Sequence, residues 1–275
     1  TYTFEQAVSD EYGGYPAGIV LFCASNNSWQ VSLVNSNTFN FVTTPSYIND
    51  GTHWSQIGGS HGQMLFDTTG THGFTPPKGV TKFYITASGG GGGGAGGYFS
   101  SNQQGGGGGG GGSGAFLVNH LITISSTANF SFTVGNGGAG ATTNGGSGVN
   151  GTATTISQSS ISTITLNGGQ GGNPSGLKGQ GGAGGSPIVA GITGSSGCSA
   201  SFFNNGSGFG YVMSIAGGIG GSSVFGSGTG GATTNGDAAD ATYGSGGGGG
   251  GAEAGSATSF TSGGNGGNGF VLIEW

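Results

Sequence analysis

Apolar residues fall at every second position in several short stretches, and nowhere at the three-to-four spacing of a useful amphipathic helix. In VTKFYITAS (80–88), Phe83, Ile85 and Ala87 share one face and Lys82, Tyr84 and Thr86 the other. NFSFTVG (129–135) places Phe130, Phe132 and Val134 together. AFLVNHLITIS (115–125) and GFVLIEW (269–275) read as apolar strands, and TATTISQSSISTITLN (152–167) is β-branched enough for two short ones. Upstream, AGIVLFCAS (17–25) and WQVSLV (29–34) read as strands joined by a turn at Asn26-Asn27-Ser28. GGSHGQMLFDTTGTHG (58–73) reads as a connector. The pattern predicts a mainly β and irregular chain with essentially no α-helix.

Glycine fills the space between the strands. The chain has 73 glycines in 275 residues, concentrated after about residue 75, where Pro76-Pro77 precede the first strand of the glycine-rich part. Such a composition alone suggests disorder. The 17 Phe, 8 Tyr and 3 Trp argue for a folded chain instead. Two kinds of tract occur. Gly89–Gly94, Gly105–Gly112 and Gly246–Gly251 are pure, whereas GGQGGNPSGLKGQGGAGG (168–185), AGGIGGSS (216–223) and GGNGGNGF (263–270) repeat near every third residue. Three residues make one turn of a polyproline II-type helix, which has no internal hydrogen bonds. Packed side by side, such helices can satisfy one another, and only glycine lets their backbones come close. A packed sandwich of polyglycine II helices is therefore expected. Pure runs would be central, and G-G-X runs outer with the third residue in solvent. At ~3.1 Å per residue, eight glycines span ~25 Å and six ~19 Å. Two domains are predicted: a small β-rich domain with its connector at 1–73, and a glycine-rich domain at 74–275.

Charge narrows the function. Only Lys78, Lys82 and Lys178 are basic against nine acids, so nucleic acid is not an expected partner. No apolar run approaches ~18 residues, and membrane insertion is not expected. The chain starts without Met or a signal pattern and is expected to be a piece of a longer protein. Cys23 and Cys198 are read as free thiols. His53, His61 and His72 match no metal-ligand spacing, and Asp237 and Asp240 read as a solvated turn rather than a catalytic pair. G-x-G-x-x-G patterns arise by chance here, and none opens a helix. The expectation is no enzyme, no cofactor and no metal.

The aromatic residues that interrupt glycine carry more information. They are Tyr98 and Phe99; Phe202 and Phe203; Phe209, Tyr211 and Met213; Val224 and Phe225; and Tyr243. They either cap the lattice or form an exposed apolar patch on turns at one edge, a recognised mark of an interaction site. Segment 186–215 is the strongest candidate, because it breaks the three-residue period for longest and is the most aromatic.

FTPPKGVTKFYITASGGGGGGAGGY (74–98), GGGGGGGGSGAFLV (105–118), FTVGNGGAGA (132–141) and GGNGGNGFVLIEW (263–275) resemble the glycine-rich C-terminal domain of bacteriophage tail fibre proteins. Their glycine blocks are also similar to the tip adhesin of T-even-like phages. EYGGYPAGIVLF and GTHWSQI resemble elements near the distal end of tail fibres. The resemblance implies a virion protein at the distal fibre tip. Its partner would be a bacterial outer-membrane protein or surface polysaccharide, bound through loops at about 98–104, 186–215, 222–229 and 235–245. Residues 1–73 do not look like the adhesin's attachment domain. They fit a fibre-proximal attachment or trimerisation domain of a homotrimeric fibre instead. Two other readings stand beside this one: an ice-binding polyglycine bundle, and a purely structural glycine-rich extracellular module.

Overall fold

The computed structural model describes residues 20–23, 28–32, 54–57, 62–77, 80–100, 104–124, 129–174, 179–200, 202–204, 213–232, 236–254 and 259–275, and contains no helix among them. The chain divides into two compact units. The first comprises Thr1–Gly62, Pro76–Lys82 and Trp275. It holds an antiparallel sheet of β1 (Val20–Cys23), β2 (Ser28–Ser32) and β3 (Trp54–Ile57), with Val20 opposite Val31 and Trp29 opposite Ile57. In the same unit, Gly62 and Trp275 exchange backbone hydrogen bonds of 2.9 and 3.0 Å. The indole of Trp275 lies where a side chain at position 62 would have to be.

The second unit comprises Gln63–Thr75 and Phe83–Glu274. One part of it is a β-sandwich. Its strands are β4 (Gln63–Phe66), β5 (Gly70–Phe74), β6 (Lys82–Ser88), β9 (Phe116–Thr123), β10 (Phe130–Val134), β11 (Thr154–Gln158), β12 (Ile161–Leu166), β13 (Pro187–Ile188) and β17 (Phe270–Glu274). The remaining strands, β7 (Tyr98–Ser100), β8 (Gln104–Gly106), β14 (Phe202–Asn204), β15 (Met213–Ile215) and β16 (Ala252–Ala254), lie elsewhere. One sheet has the order β4-β17-β6-β9 and the other β13-β12-β11-β10-β5. The alternation of the sequence sets the inner faces. Phe83 and Ile85 from β6 meet Phe130, Phe132 and Val134 from β10, all essentially without exposure. Phe83 packs edge-on to Phe130 at 5.1 Å and to Phe74 at 5.8 Å, and Phe66 reaches Phe132 at 5.6 Å. The 58–73 segment, expected as a connector, supplies β4 and β5 instead. Its Phe66, the last of three consecutive apolar residues (Met64-Leu65-Phe66), joins this phenylalanine cluster through Phe132.

The rest of the unit is built from extended segments that form no strand ladder. Their backbone bonds rotate among neighbours with a period of three. In 89–97, Gly89, Gly92 and Ala95 donate to the antiparallel 107–115 segment (to Ala115, Gly112 and Gly109). Gly90, Gly93 and Gly96 donate to Thr152, Val149 and Gly146, and Gly91, Gly94 and Gly97 to Gly267, Gly264 and Thr261. The same segment accepts bonds from three parallel neighbours, 135–141, 168–173 and 244–251. Three donor directions and three acceptor directions give hexagonal packing of threefold helices, the arrangement of polyglycine II. The 107–115 segment likewise bonds 89–97, 167–170, 179–185, 192–198, 216–221 and 244–250. The 89–97, 107–115 and 244–251 segments touch one another and are buried throughout, so the three pure runs form the centre.

The outer helices follow one another around this centre in chain order: 135–141, 146–152, 168–173, 179–185, 192–200, 216–221, 228–232, 236–242 and 261–268. Bonds such as Val149→Ala139, Gln170→Ala183, Cys198→Ile219 and Ala238→Ser262 join neighbours, and Gly263→Ala141 joins the last outer helix to the first; among the described residues no backbone bond joins 228–232 to 236–242. Every third outer residue is exposed, as at Asn136 and Ala139, Gln180 and Ala183, Ala216 and Ile219, and Asn265 and Asn268. Where 244–251 lacks a backbone acceptor, Thr229 and Thr261 hydroxyls accept from Gly248 and Gly251, both at 2.7 Å.

Sterics, not unusual dihedrals, make glycine obligatory here. Among the described glycines only Gly70, Gly145, Gly191 and Gly244 have positive φ. A Cβ on Gly94 would strike the Gly248 carbonyl, whereas one on Gly230 would meet nothing. Gly94→Ala is therefore expected to cost about 3 kcal/mol or more, as overpacking combined with a broken backbone bond. Gly230→Ala should be neutral or stabilise by about 0.5 kcal/mol. Chemical denaturation of both variants checks this, and equal midpoints would contradict the lattice. In the sandwich, Phe83→Ala should cost about 3–5 kcal/mol in the same assay.

Candidate binding site

The lattice has two unlike ends. At one, helices run into sandwich strands: β6 leads into 89–97, β9 follows 107–115, β10 precedes 135–141, β12 precedes 168–173 and β17 follows 261–268. At the other, turns such as that at 143–145 lead from one helix to the next among the described residues. This loop end carries two small antiparallel sheets, β14-β8-β7 and β15-β16.

The loop end collects several of the aromatics singled out in the sequence. The glycine run enters the sheet as β8, so glycine lies between two aromatic edge strands. Tyr98 and Phe202 both pair with Gly106, and Phe99 and Phe203 both pair with Gly105. Phe99 stacks on Phe260 at 6.3 Å with 26° between the rings. Asn144 holds this strand from outside the sheet, accepting from Phe99 N at 2.9 Å and donating to Phe99 O at 3.1 Å. Beside it, Gly145 has φ 64, and a side chain there would run into the Tyr98 ring. Met213 pairs with Ala254, and Ile215 with Ala252, which also bridges to Phe260. Phe209 and Tyr211 lie outside the described residues.

Val224, Phe225 and Tyr243 are at the opposite end, so the aromatics do not share one edge as expected. Antiparallel passage puts the ends of the runs alternately at the two ends of the lattice. Phe225 packs edge-on to Phe270 at 4.8 Å and to Phe116 at 6.3 Å, capping the junction between lattice and strands. Tyr243, with φ 44, leans on Phe270 at 5.7 Å, and Val224 is exposed.

Segment 186–215 is also not one loop. Residues 192–200 form an outer helix, with Gly194 N bonded to Gly185, Gly197 N to Gly182 and Ala200 N to Gly179. Small residues at 194, 197 and 200 supply its inward row, a three-residue signal hidden by Ser and Cys between them. The segment therefore splits into a turn at 186–191 at the strand end and, beyond the helix, the described strands β14 and β15 at the loop end. The 235–245 stretch splits similarly, since 236–242 is an outer helix. Asp237 and Asp240 are exposed on that helix rather than in a turn, and their Oδ1 atoms accept from Ser262 N and Asn265 N at 2.8 and 2.7 Å. Sequence reasoning missed this use of outer carboxylates and amides as acceptors for the neighbouring helix.

Conventional site chemistry is sparse. Among the described residues no three His, Cys, Asp or Glu side chains gather where a metal could bind. His72 Nε2 lies 2.7 Å from the Thr68 carbonyl, and His53 and His61 lie outside the described residues. Cys198 is a free, exposed thiol, and Cys23 lies in β1. No described helix is long and apolar enough to cross a membrane. What the arrangement can do physically is hold short aromatic strands at the end of a stiff backbone lattice.

No curated protein matches the chain. A family model described as a glycine-rich domain matches residues 67–275. That span runs from just before β5 through every lattice helix to the last residue, so the chain belongs to the glycine-rich domain family.

Proposed function

We propose that this protein is a non-catalytic receptor-binding module: the distal tip of a bacteriophage tail fibre, which attaches the virion to a bacterial outer-membrane protein or surface polysaccharide. The observation that carries the reading is the gathering of Tyr98, Phe99, Phe202 and Phe203 on two strands flanking Gly105 and Gly106 at the loop end of the lattice. A rigid frame reduces the entropy lost on binding, and aromatic residues give large contact area with few rotatable bonds. The resemblance of the glycine blocks to tail fibre domains supplies the biological setting. In it, residues 1–73 attach to the rest of a homotrimeric fibre. The mixed side chains at exposed third positions, such as Asn136, Ala139, Gln170 and Ile219, weigh against an ice-binding lattice, which needs a regular array.

The two ends of the lattice can be tested separately. Fluorescently labelled protein is titrated onto a panel of Gram-negative strains. The wild type should bind some strains saturably. A variant with Phe202, Phe203, Phe209 and Tyr211 changed to Ser should lose at least about tenfold in affinity, as expected when hot-spot aromatics are truncated, while its melting temperature stays unchanged. A variant carrying Val224→Ser and Tyr243→Ser should bind like the wild type. Loss in the second variant alone would move the site to the strand end, and saturable binding to no strain would count against the reading.

A further inference from the structure

Asparagine followed by glycine is the sequence most prone to spontaneous deamidation, because the glycine nitrogen can reach the asparagine side chain unhindered. The nitrogen attacks Cγ, a new N–Cγ bond closes a five-membered imide, and the Cγ–NH2 bond breaks to release ammonia. Water then opens the imide to Asp or isoAsp. The reaction needs a free glycine N–H and a side-chain amide able to swing back over the main chain. Asparagine is thermolabile for this reason.

Six such pairs lie among the described residues, beginning at Asn136, Asn144, Asn150, Asn167, Asn265 and Asn268. The lattice engages the glycine nitrogen of five. Gly145 N bonds Gly97 O, Gly151 N bonds Gly169 O, Gly266 N bonds Gly138 O and Gly269 N bonds Gly135 O, all at 2.9 Å. Gly137 N bonds Asn268 Oδ1 at 2.9 Å. Four of the side chains are held as well. Asn144 clasps Phe99, and the Oδ1 atoms of Asn150, Asn265 and Asn268 accept from Gly171, Gly140 and Gly137. Asn167–Gly168 differs. It sits where β12 becomes an outer helix, half-exposed, with no hydrogen bond on Gly168 N or on the Asn167 side chain.

We infer that Asn167 is an intrinsic modification site, the described Asn–Gly pair that the lattice leaves open to imide formation, and that the lattice protects the other five. Its position makes the product consequential. The Asn167 carbonyl accepts from Ala115 N at 2.9 Å, tying the rim to a central helix. An isoAsp there adds a methylene to the main chain at that tie.

The test is peptide mapping of the folded full-length chain aged in warm, mildly alkaline buffer, beside the same chain in denaturant. In the folded chain the peptide containing Asn167 should gain about 1 Da at least about tenfold faster than the other five, since each of those must first open a hydrogen bond. In denaturant the six rates should converge. The isoAsp167 fraction, separated by ion exchange, should melt lower than unmodified protein, and Asn167→Gln should remove the fast phase while keeping the wild-type melting temperature. Two results overturn the inference: equal protection of Asn167 in the folded chain, or the same lead for Asn167 in denaturant, which would trace it to local sequence rather than the lattice.

Discussion

Backbone packed directly against backbone is the constraint on which this structure depends. An extended threefold helix has no internal hydrogen bonds, so every buried N–H and C=O must find a partner on another helix. In the 89–97 segment they do so in three donor and three acceptor directions. Those bonds require approaches that leave no room for a Cβ, as at Gly94 beside Gly248. Ordering so many glycines has a high entropic cost, offset by many small backbone hydrogen bonds and dense contact rather than by apolar burial. The stabilisation is therefore collective: no central helix could exist without its neighbours.

The β-sandwich solves a different problem at one end. Several lattice helices, 89–97, 107–115, 135–141, 168–173 and 261–268 among them, pass there into strands of a sandwich whose inner faces bury Phe83, Phe130 and Phe132. Conventional hydrophobic burial thus holds together the ends of helices that have little apolar surface of their own. At the opposite end no such anchor is present among the described residues. Short strands and turns there rest on the lattice itself, with Asn144 bracing Phe99 and Phe260 stacking against it. The two ends thus differ: one is packed into a sandwich, and the described residues of the other form short strands and turns.

The rim needs a further device. Outer helices face solvent with rows of N–H groups that no further helix reaches. Asp237, Asp240, Asn150, Asn265 and Asn268 send side-chain oxygens to such groups on adjacent helices. The polar third residue of a G-G-X repeat is thus both a solvent-facing group and a substitute acceptor.

Much of the fold was legible because side-chain periodicity is local. Alternation marked Phe83, Ile85, Phe130, Phe132 and Val134 as a core, and long glycine runs marked the segments surrounded by backbone, where Ala95 and Ser113 are among the few interruptions. Two features were hidden. β4 and β5 need partners far along the chain, since β4 pairs with β17 and β5 with β10. The helix at 192–200 carries its small residues at 194, 197 and 200 within a stretch that looks irregular. The sequence by itself determined most strands of the sandwich (β6, β9, β10, β11, β12 and β17), which segments could be central helices and which residues could face solvent. Tertiary structure alone decided which helix lies beside which, and at which end each aromatic emerges. Glycine helices are nearly identical to one another, so their local sequence encodes no choice of neighbour. The end a turn occupies follows from the number of earlier passages through the lattice, and that exists only once the whole chain is folded.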